Sequence, residues 1–353
     1  MEAEYKVELH DKNTWMHGFL VVHSTARGPG KGGIRFVPNL TLNEVQRLAE
    51  AMSYKNALAE LPFGGAKAGI AGSPAGASKP KLIRAFSRMI KEFVPELYIP
   101  GPDMNMSEKD MAIVADEVGL ENVTGKPFTM GGLPHEIGTT GFGVIEAMDV
   151  ALKFKGMETS GSTVAIEGFG VVGKAAVRRA NELGAKVVAV SDSQGAIYNE
   201  NGINAYDLEK AKREKGSVVY CDGKKLPAEE LFGLDVDVLI PGARPNVINE
   251  NNYEKVRARI IVEAANIPVP YEIEKKLHQK GVLIVPDIIA NAGGVITSYA
   301  ELKGKTIEET FELVKDRVRR NTDKILERGG FPRDAAIGIA VERIEEAEKA
   351  RKA

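Results

Sequence analysis

The amino-acid sequence predicts an α/β fold arranged as two domains. Its 353 residues exceed what one domain of ordinary size needs. In the second half, short apolar runs alternate with segments of helical periodicity, which is the pattern of a parallel sheet covered by helices. The first half mixes strand and helix patterns with glycine-rich segments. We therefore predict an N-terminal α/β domain followed by a doubly wound one.

The composition excludes several kinds of partner and site. A net charge of −2 gives no reason to expect binding to nucleic acid or to an anionic membrane. The single cysteine, Cys221, cannot form an intramolecular disulfide or a cysteine-based metal cluster, and it fits a reducing, cytoplasmic compartment. No apolar run is long enough to cross a membrane. The histidines have no spacing suited to a metal, so we predict no metal site.

The N-terminal region predicts two strands, a loop and a capped helix. The apolar residues within 5–10 and 15–24 indicate strands on either side of a polar turn. Segment 27–35 is rich in glycine and carries three cations, and we interpret it as a loop. A helix is predicted to begin at Thr41, whose hydroxyl can accept from the amide of Glu44 while the Glu44 carboxylate reaches back.

This first helix carries a charge where its apolar stripe should continue. The stripe formed by Val45, Leu48 and Met52 reaches Lys55 at the next helical step. Burying an unpaired ammonium group costs several kcal/mol. Lys55 is therefore predicted to face a polar cleft rather than a packed core.

A second lysine stands in the glycine-rich and otherwise apolar segment Leu61–Ile70. We interpret this segment as a sharp turn that presents Lys67. Two interpretations of the turn stay open from these residues. Lys67 is either a solvated surface charge or a lysine whose apolar surroundings lower its pKa, so that it can act as a base or nucleophile.

Two further helices flank a proline-rich run. Residues 81–94 have helical periodicity, and Ser107 can cap a helix that ends near residue 118. Between these helices, two prolines exclude helical structure and hold Asp103 in a fixed loop.

The second half contains a glycine motif at a turn between a strand and a helix. Gly168–Gly173 reads Gly-Phe-Gly-Val-Val-Gly and follows the apolar run 163–167. Such glycines allow a tight turn and the approach of a pyrophosphate to the helix N-terminus. The next strand, 186–191, ends in Asp192, where an acid can hold the adenosine ribose. This context favours a Rossmann-type dinucleotide-binding domain over a ligand-free glycine turn. Asp192 favours NAD, whereas the serines beside it could flank the phosphate of NADP.

The remaining patterns complete this domain and the C-terminal end. Three more strands are predicted at 236–240, 260–262 and 282–285. From about Thr306 the chain has helical periodicity, and its last helix is predicted at 335–349.

Five motifs, in order along the chain, carry a family resemblance. They are Gly28–Arg35, Leu61–Gly69, Thr124–Pro127, Gly168–Gly173 and Pro286–Val295. With these motifs, the chain resembles the glutamate, leucine, phenylalanine and valine dehydrogenase superfamily, and most closely its glutamate-specific members.

The resemblance implies roles for individual residues. Lys67 and Asp103 resemble the catalytic lysine and aspartate of the family. Lys55 corresponds to the residue that holds the substrate α-carboxylate, and Lys31 with Ser298 to those that hold its side-chain carboxylate. The resemblance and the glycine motif together predict a set of cofactor-binding residues: Thr140, Gly168, Gly170, Val171, Gly173, Asp192, Asn266 and Asn291.

The resemblance also implies an activity and an assembly. We expect reversible, NAD- or NADP-dependent oxidative deamination of L-glutamate to 2-oxoglutarate and ammonia, by a homo-hexamer. The alternatives are a dehydrogenase for leucine, valine or phenylalanine, and a catalytically silent regulatory relative. The predicted domains are a substrate domain over 1–138, a Rossmann-type domain over 139–325 and a C-terminal helix over 326–353 that returns to the first.

Some positions depart from the family pattern. Asp103 is followed by Met-Asn-Met-Ser, and the loop 132–143 lacks residues often found there. Arg244 stands where the family generally has no charge. Its guanidinium either pairs with an acidic neighbour or meets an anion of the substrate or cofactor.

Overall fold

The computed structural model describes residues 2–352, apart from the side chain of His135. The chain divides into two compact units. The first contains the described residues up to 135, Val295–Thr310 and the described residues from Ile337 on. The second contains Glu136–Gly294 and Phe311–Ala336. No helix within residues 2–352 is both long and apolar enough to span a bilayer.

The first unit is built on a five-stranded sheet in the order β1-β2-β4-β3-β5. Its strands are β1 (Tyr5–Asp11), β2 (Met16–Ser24), β3 (Gly30–Val37), β4 (Gly64–Ala71) and β5 (Tyr98–Pro102). Strand β2 pairs antiparallel with β1 and β4, whereas β3 pairs parallel with β4 and β5. The helices between them are α1 (Leu42–Leu58), α2 (Lys79–Ile90) and α3 (Glu108–Val118).

The two faces of this sheet differ in character. On one face the buried side chains of the strands, such as Ala68, Ile70 and Phe36, pack with α2 and α3 into a hydrophobic core. On the other face β4 presents Gly65, Lys67 and Gly69, because successive residues of a strand point to opposite sides. A Cβ atom at Gly65 would lie 2.2 Å from the backbone nitrogen of Ser53. Glycine is therefore needed there for α1 to reach the sheet.

Three predicted loops or turns are in fact strands. The segments around Lys31 and Lys67 form β3 and β4, and the proline-rich run forms the edge strand β5. Glycine lowers strand propensity and proline removes a donor, so local sequence argues against strands here. Pairing with neighbours on both sides overrides the local preference in β3 and β4, and β5 tolerates its prolines as an edge strand.

The stripe predicted for α1 is rotated from its true buried face. Val45, Ala49 and Ser53 are buried, whereas Leu48 and Met52 are only half-buried. Thr41 caps the helix as predicted. The Glu44 carboxylate, however, binds Arg35 rather than turning back to the cap.

The second unit contains a seven-stranded sheet in the order β12-β11-β10-β6-β7-β8-β9. The strands are β6 (Thr163–Glu167), β7 (Lys186–Asp192), β8 (Gly195–Tyr198), β9 (Lys224–Leu226), β10 (Val238–Pro241), β11 (Ile260–Val262) and β12 (Leu283–Val285). All pairs are parallel except those made by β8. The five predicted strands and the α/β, Rossmann-type architecture are confirmed. The sequence did not predict the short antiparallel strands β8 and β9.

Eight α-helices occur in the rest of the described chain. They are α4 (Thr139–Phe154), α5 (Val171–Glu182), α6 (Ala205–Lys215), α7 (Tyr271–Gln279), α8 (Asp287–Ala290), α9 (Gly293–Leu302), α10 (Ile307–Arg328) and α11 (Pro332–Lys352). The predicted C-terminal helices are confirmed as α10 and α11. Val295–Thr310 belongs to the first unit, although the predicted boundaries assign it to the second. The physical reason is a set of contacts made by Glu301 of α9 with residues 125–133.

Candidate active site

Strand register brings the predicted catalytic pair together. Gly33 and Ile34 of β3 lie opposite Gly101 and Pro102 of β5, so Asp103 follows at the level of Arg35. The Lys67 Nζ lies 3.0 Å from Asp103 Oδ2. A Cβ atom on Gly33 would lie 2.8 Å from the Cβ of Asp103, so glycine leaves room for the aspartate.

Asp103 also binds an arginine that the sequence analysis did not place in the site. Arg35 Nε donates to Asp103 Oδ2 at 2.7 Å, and Arg35 Nη1 donates to Glu44 Oε1 at 2.8 Å. The Arg35 guanidinium and the Lys67 ammonium thus contact the same oxygen of Asp103, Oδ2. Within residues 2–352, Asp103 Oδ1 has no hydrogen-bond partner. The signals in the sequence were the place of Arg35 at the end of the motif Gly28–Arg35 and its alternation with Lys31 and Gly33.

Burial and charge set the ionisation of this pair. The Lys67 side chain is only 7% exposed, and burial lowers its pKa, an effect that Asp103 opposes and Arg35 reinforces. Burial alone would raise the pKa of Asp103, but the charges of Lys67 and Arg35 hold it below its usual value. A lysine with a lowered pKa thus lies beside a carboxylate whose pKa is also lowered.

Lys31 lies on the same face of β3 as Arg35 and is buried, with 3% exposure. Burial lowers its pKa to about 7, with Glu301 opposing the effect and Lys67 and Lys126 adding to it. Within the described part of the chain, the Lys31 ammonium has no hydrogen-bond or ion-pair partner. A Cβ atom at Gly101 would lie 2.5 Å from its Nζ, so that glycine makes room for the ammonium.

A buried ion pair stands beside Lys31. Lys126 Nζ lies 2.8 Å from Glu301 Oε1, and Glu301 Oε2 accepts from the backbone amides of Gly125 and Leu133 at 3.0 and 3.2 Å. Ser298 lies half-buried on α9, one turn before Glu301. These contacts fix the helix that carries Ser298 to the segment after Thr124. Lys55 lies half-buried on α1.

The glycine motif of the second unit has the geometry of a phosphate-binding turn. Gly168 has a φ of +96°, and a Cβ atom at Gly173 would lie 1.9 Å from the Gly168 carbonyl oxygen. Helix α5 begins at Val171, and a Cβ atom at Gly170 would have no atom of the described residues within 4 Å. Open space in front of a helix N-terminus fits a pyrophosphate, so these residues fit a dinucleotide.

Asp192 follows the expected strand, but its carboxylate is already fully bonded. It accepts from Gln194 N, Lys212 Nζ, Ser217 Oγ and Val218 N at 2.7–3.0 Å. Burial opposes ionisation, yet these donors hold its pKa below the usual value. A carboxylate has about four acceptor positions. The predicted contact with a ribose therefore requires that Asp192 give up one of these bonds.

Two of the other predicted cofactor residues contact each other directly. Asn291 Nδ2 donates to Asn266 Oδ1 at 3.0 Å and to the Ala264 carbonyl at 3.2 Å. Thr140 is buried in the first turn of α4, and a Cβ atom at Gly294 would lie 3.3 Å from its Oγ1. These residues gather beyond the carboxyl end of β11, the end of a parallel strand where ligands bind in such sheets.

Arg244 lies in an exposed loop beside the glycine motif. Glu167 Oε2 accepts from the amides of Gly242 and Ala243 at 2.9 and 2.6 Å, which fixes the loop. Burial raises the pKa of Glu167, and the charge of Arg244 opposes that rise. In the described residues Arg244 makes no ion pair, so the predicted pairing with an acidic neighbour is reduced to this longer-range attraction.

A separate cluster of Glu8, His10 and His17 lies on the exposed face of β1 and β2. His17 Nε2 lies 2.8 Å from Glu8 Oε1, and the rings of His10 and His17 stack at 4.4 Å. Their sequence spacing gave no signal of this arrangement, because the register of the two strands brings them together.

The comparisons with known proteins agree with this geometry. A model described as glutamate/leucine/phenylalanine/valine dehydrogenase matches residues 131–352, and one described as the dimerisation domain of the Glu/Leu/Phe/Val dehydrogenases matches residues 1–119. The chain belongs to this dehydrogenase family. It is thus an oxidoreductase of the amino acid dehydrogenase class, and the family uses NAD or NADP.

Named family members cover nearly the whole chain. Glutamate dehydrogenase of Thermotoga maritima is 40% identical over 99% of this chain and 90% of its own length. The NADP-specific glutamate dehydrogenase of Saccharolobus shibatae is 38% identical over 95% of this chain and 85% of its own. The crystal structure of the hetero-hexameric glutamate dehydrogenase of Thermus thermophilus in its Leu-bound form is 33% identical, with a TM-score of 0.87 over 99% of this chain and 90% of its own.

Proposed function

We propose that this family member catalyses the reversible, NAD- or NADP-dependent oxidative deamination of L-glutamate to 2-oxoglutarate and ammonia. The observation that carries the choice of substrate is the buried ammonium of Lys31, which lies on the same sheet face as Lys67 and makes no hydrogen bond or ion pair with the described residues. A buried cation without a partner is costly and is compensated by an anionic group. The side-chain carboxylate of glutamate supplies that group, whereas leucine, valine and phenylalanine do not.

The residues of the first unit divide the work of substrate binding and proton transfer. Lys31 and Ser298 bind the side-chain carboxylate, and Lys55 binds the α-carboxylate. A bound dinucleotide would supply the acceptor for the hydride that leaves the substrate Cα. Neutral Lys67 then takes a proton from the water that attacks the iminium carbon, and Asp103 transfers protons to and from the substrate nitrogen. Ammonia leaves as the carbonyl of the oxo acid forms.

The second unit holds the coenzyme. Gly168, Gly170, Val171 and Gly173 would hold the pyrophosphate, and Thr140, Asn266 and Asn291 would hold the nicotinamide. Lys212 neutralises Asp192, so this carboxylate does not repel a 2′-phosphate as a free one would. We therefore expect both NAD and NADP to bind. Exposed Arg244, beside the glycine motif, attracts the phosphates of either coenzyme.

The decisive experiment is an amino acid panel measured with NAD and NADP side by side. Glutamate should have the highest kcat/KM among glutamate, leucine, valine and phenylalanine. Lys31→Met should abolish that preference by selectively reducing turnover of glutamate, while Lys91→Met, at an exposed position, should not. Equal turnover of glutamate and leucine by the unaltered chain would refute the glutamate assignment. Binding of coenzyme without turnover of any amino acid would instead support a silent regulatory relative.

We further propose that the protein is a cytoplasmic homo-hexamer. The hexameric Thermus relative supports the number of subunits but is hetero-hexameric. Light scattering of this chain expressed alone should give six times the mass of the chain. A smaller mass that rises only when a second, related chain is added would refute the homo-hexamer.

A further inference from the structure

The ion pair between Lys67 and Asp103 poses a chemical problem. A general base must be neutral to accept a proton, yet a carboxylate 3.0 Å away stabilises the charged form of Lys67. If Lys67 and Asp103 were the only charged groups, the proton would stay on Lys67 and prevent it from acting as a base. The site therefore needs a second cation that satisfies Asp103 when Lys67 is neutral.

Arg35 has the position and the chemistry of that second cation. Its Nε donates to the same Oδ2 atom of Asp103 at 2.7 Å, closer than the Lys67 ammonium. The guanidinium stays protonated at every pH at which proteins are folded. Its side chain is 15% exposed, so this charge is little screened by water.

Other contacts hold Arg35 in place independently of Lys67. Arg35 lies on β3, which is paired on both sides. Its Nη1 donates to Glu44 Oε1 at 2.8 Å, and Glu44 lies in the first turn of α1, which Thr41 caps. The guanidinium is thus held by Asp103 and by Glu44, and it stays in place when Lys67 gains or loses its proton.

We propose that Arg35 is a positioning residue that serves as the constant counter-ion of Asp103, so that Asp103 stays ionised and in place when Lys67 gives up its proton. This inference rests on the proposed roles of Lys67 and Asp103. The charged groups that act on Lys67 from the surrounding elements are Arg35 and Lys31 of β3, Asp103 after β5, and Glu44 of α1, the helix that also carries Lys55.

The test follows the protonation of Lys67 directly in the full chain. The rate at which an amine-reactive reagent modifies Lys67 is measured against pH by peptide mass spectrometry, together with the pH profile of kcat/KM. In Arg35→Gln, Asp103 has Lys67 as its only cationic partner among the described residues, so the charged form of Lys67 is more stable. The titration of Lys67 and the rising limb of the kcat/KM profile should therefore shift upward by about one pH unit or more. Turnover near neutral pH then falls at least about tenfold and recovers at higher pH.

Three further variants separate this role from general damage. Arg35→Lys keeps a cation and should reverse most of the shift. Glu44→Gln removes a charge that favours protonated Lys67, so the rising limb of its kcat/KM profile should stay in place or move to lower pH. Arg88→Gln removes an exposed ion pair with Glu117 and should change neither readout. An equal loss at every pH in Arg35→Gln, with no shift in Lys67 labelling, would overturn the proposal.

A double variant tests whether Arg35 acts through Asp103. In an Asp103→Asn background, Arg35→Gln should shift Lys67 labelling much less than it does alone. An equal shift in both backgrounds would mean that Arg35 merely repels Lys67, and the counter-ion role would be wrong. These labelling results do not depend on turnover. Failure of the proposed catalytic role of Lys67 would instead be recognised by full turnover of glutamate in Lys67→Ala.

Discussion

Replacing Gly101 with alanine should separate recognition of the substrate from stability of the fold. The new Cβ atom would lie 2.5 Å from Lys31 Nζ and 2.8 Å from Thr124 Oγ1. Non-bonded heavy atoms settle at about 3.5 Å, so the ammonium must move by about 1 Å. Nζ is the far end of a flexible side chain, so it can move without disturbing the strand. Thr124 is fully buried, however, and its Oγ1 must also give way, so the unfolding free energy should fall by about 1–3 kcal/mol while the protein stays folded.

The displaced ammonium should weaken the contact with the side-chain carboxylate of glutamate. A hydrogen bond to a charged group contributes about 1.5–3 kcal/mol, which corresponds to a loss of about 10- to 150-fold in kcat/KM. The loss should be absent for norvaline, which has no second carboxylate. The assay is steady-state kinetics on both substrates, with denaturant unfolding to monitor stability.

Gly76→Ala provides the matched control. Its new Cβ atom would meet no described atom closer than 3.4 Å, and Gly76 lies in an exposed loop between β4 and α2. Unchanged kinetics for glutamate in Gly101→Ala, in a folded protein, would refute the assignment of Lys31 to the substrate carboxylate. An equal loss for glutamate and norvaline would point to distortion of Asp103 instead.

Two further outcomes follow from the ionisation and bonding of the site. Because burial lowers the pKa of Lys31 to about 7, the lysine loses its charge as pH rises through that value. KM for glutamate should therefore rise above pH 7, by up to about tenfold per unit, while KM for norvaline does not; a flat KM for glutamate would contradict this. Lys212→Met should leave Asp192 negatively charged and partly unbonded, which favours a ribose hydroxyl over a phosphate. The ratio of the dissociation constants of NADPH and NADH, measured by coenzyme fluorescence, should then rise several-fold, and an unchanged ratio would show that Asp192 does not face the ribose.

Much of the second unit could be predicted from the sequence because its signals are local. The apolar runs at 163–167 and 186–191, and the glycine motif between them, each lie within a few residues of the structure that they specify. The caps by Thr41 and Ser107 were predictable for the same reason. The antiparallel strands β8 and β9 are short, with 4 and 3 residues, and gave too little pattern to detect.

The first unit was harder to predict because its local preferences point away from the structure. Glycine and proline disfavour strands, yet β3, β4 and β5 are rich in them. The glycines are there because Ser53 of α1, Asp103 and the Lys31 ammonium need the space. That need arises only once distant segments are packed together.

The sequence by itself determined the fold class, the dinucleotide motif and the lysines and aspartate of the candidate site. Only the tertiary structure decided which groups face each other. Arg35 and Lys67 contact the same oxygen of Asp103. Glu301 acts on the charge of Lys31, and the carboxylate of Asp192 accepts four hydrogen bonds. The physical reason is that pKa and hydrogen bonding depend on distances of a few ångströms, which strand register and helix packing fix between residues far apart in the chain.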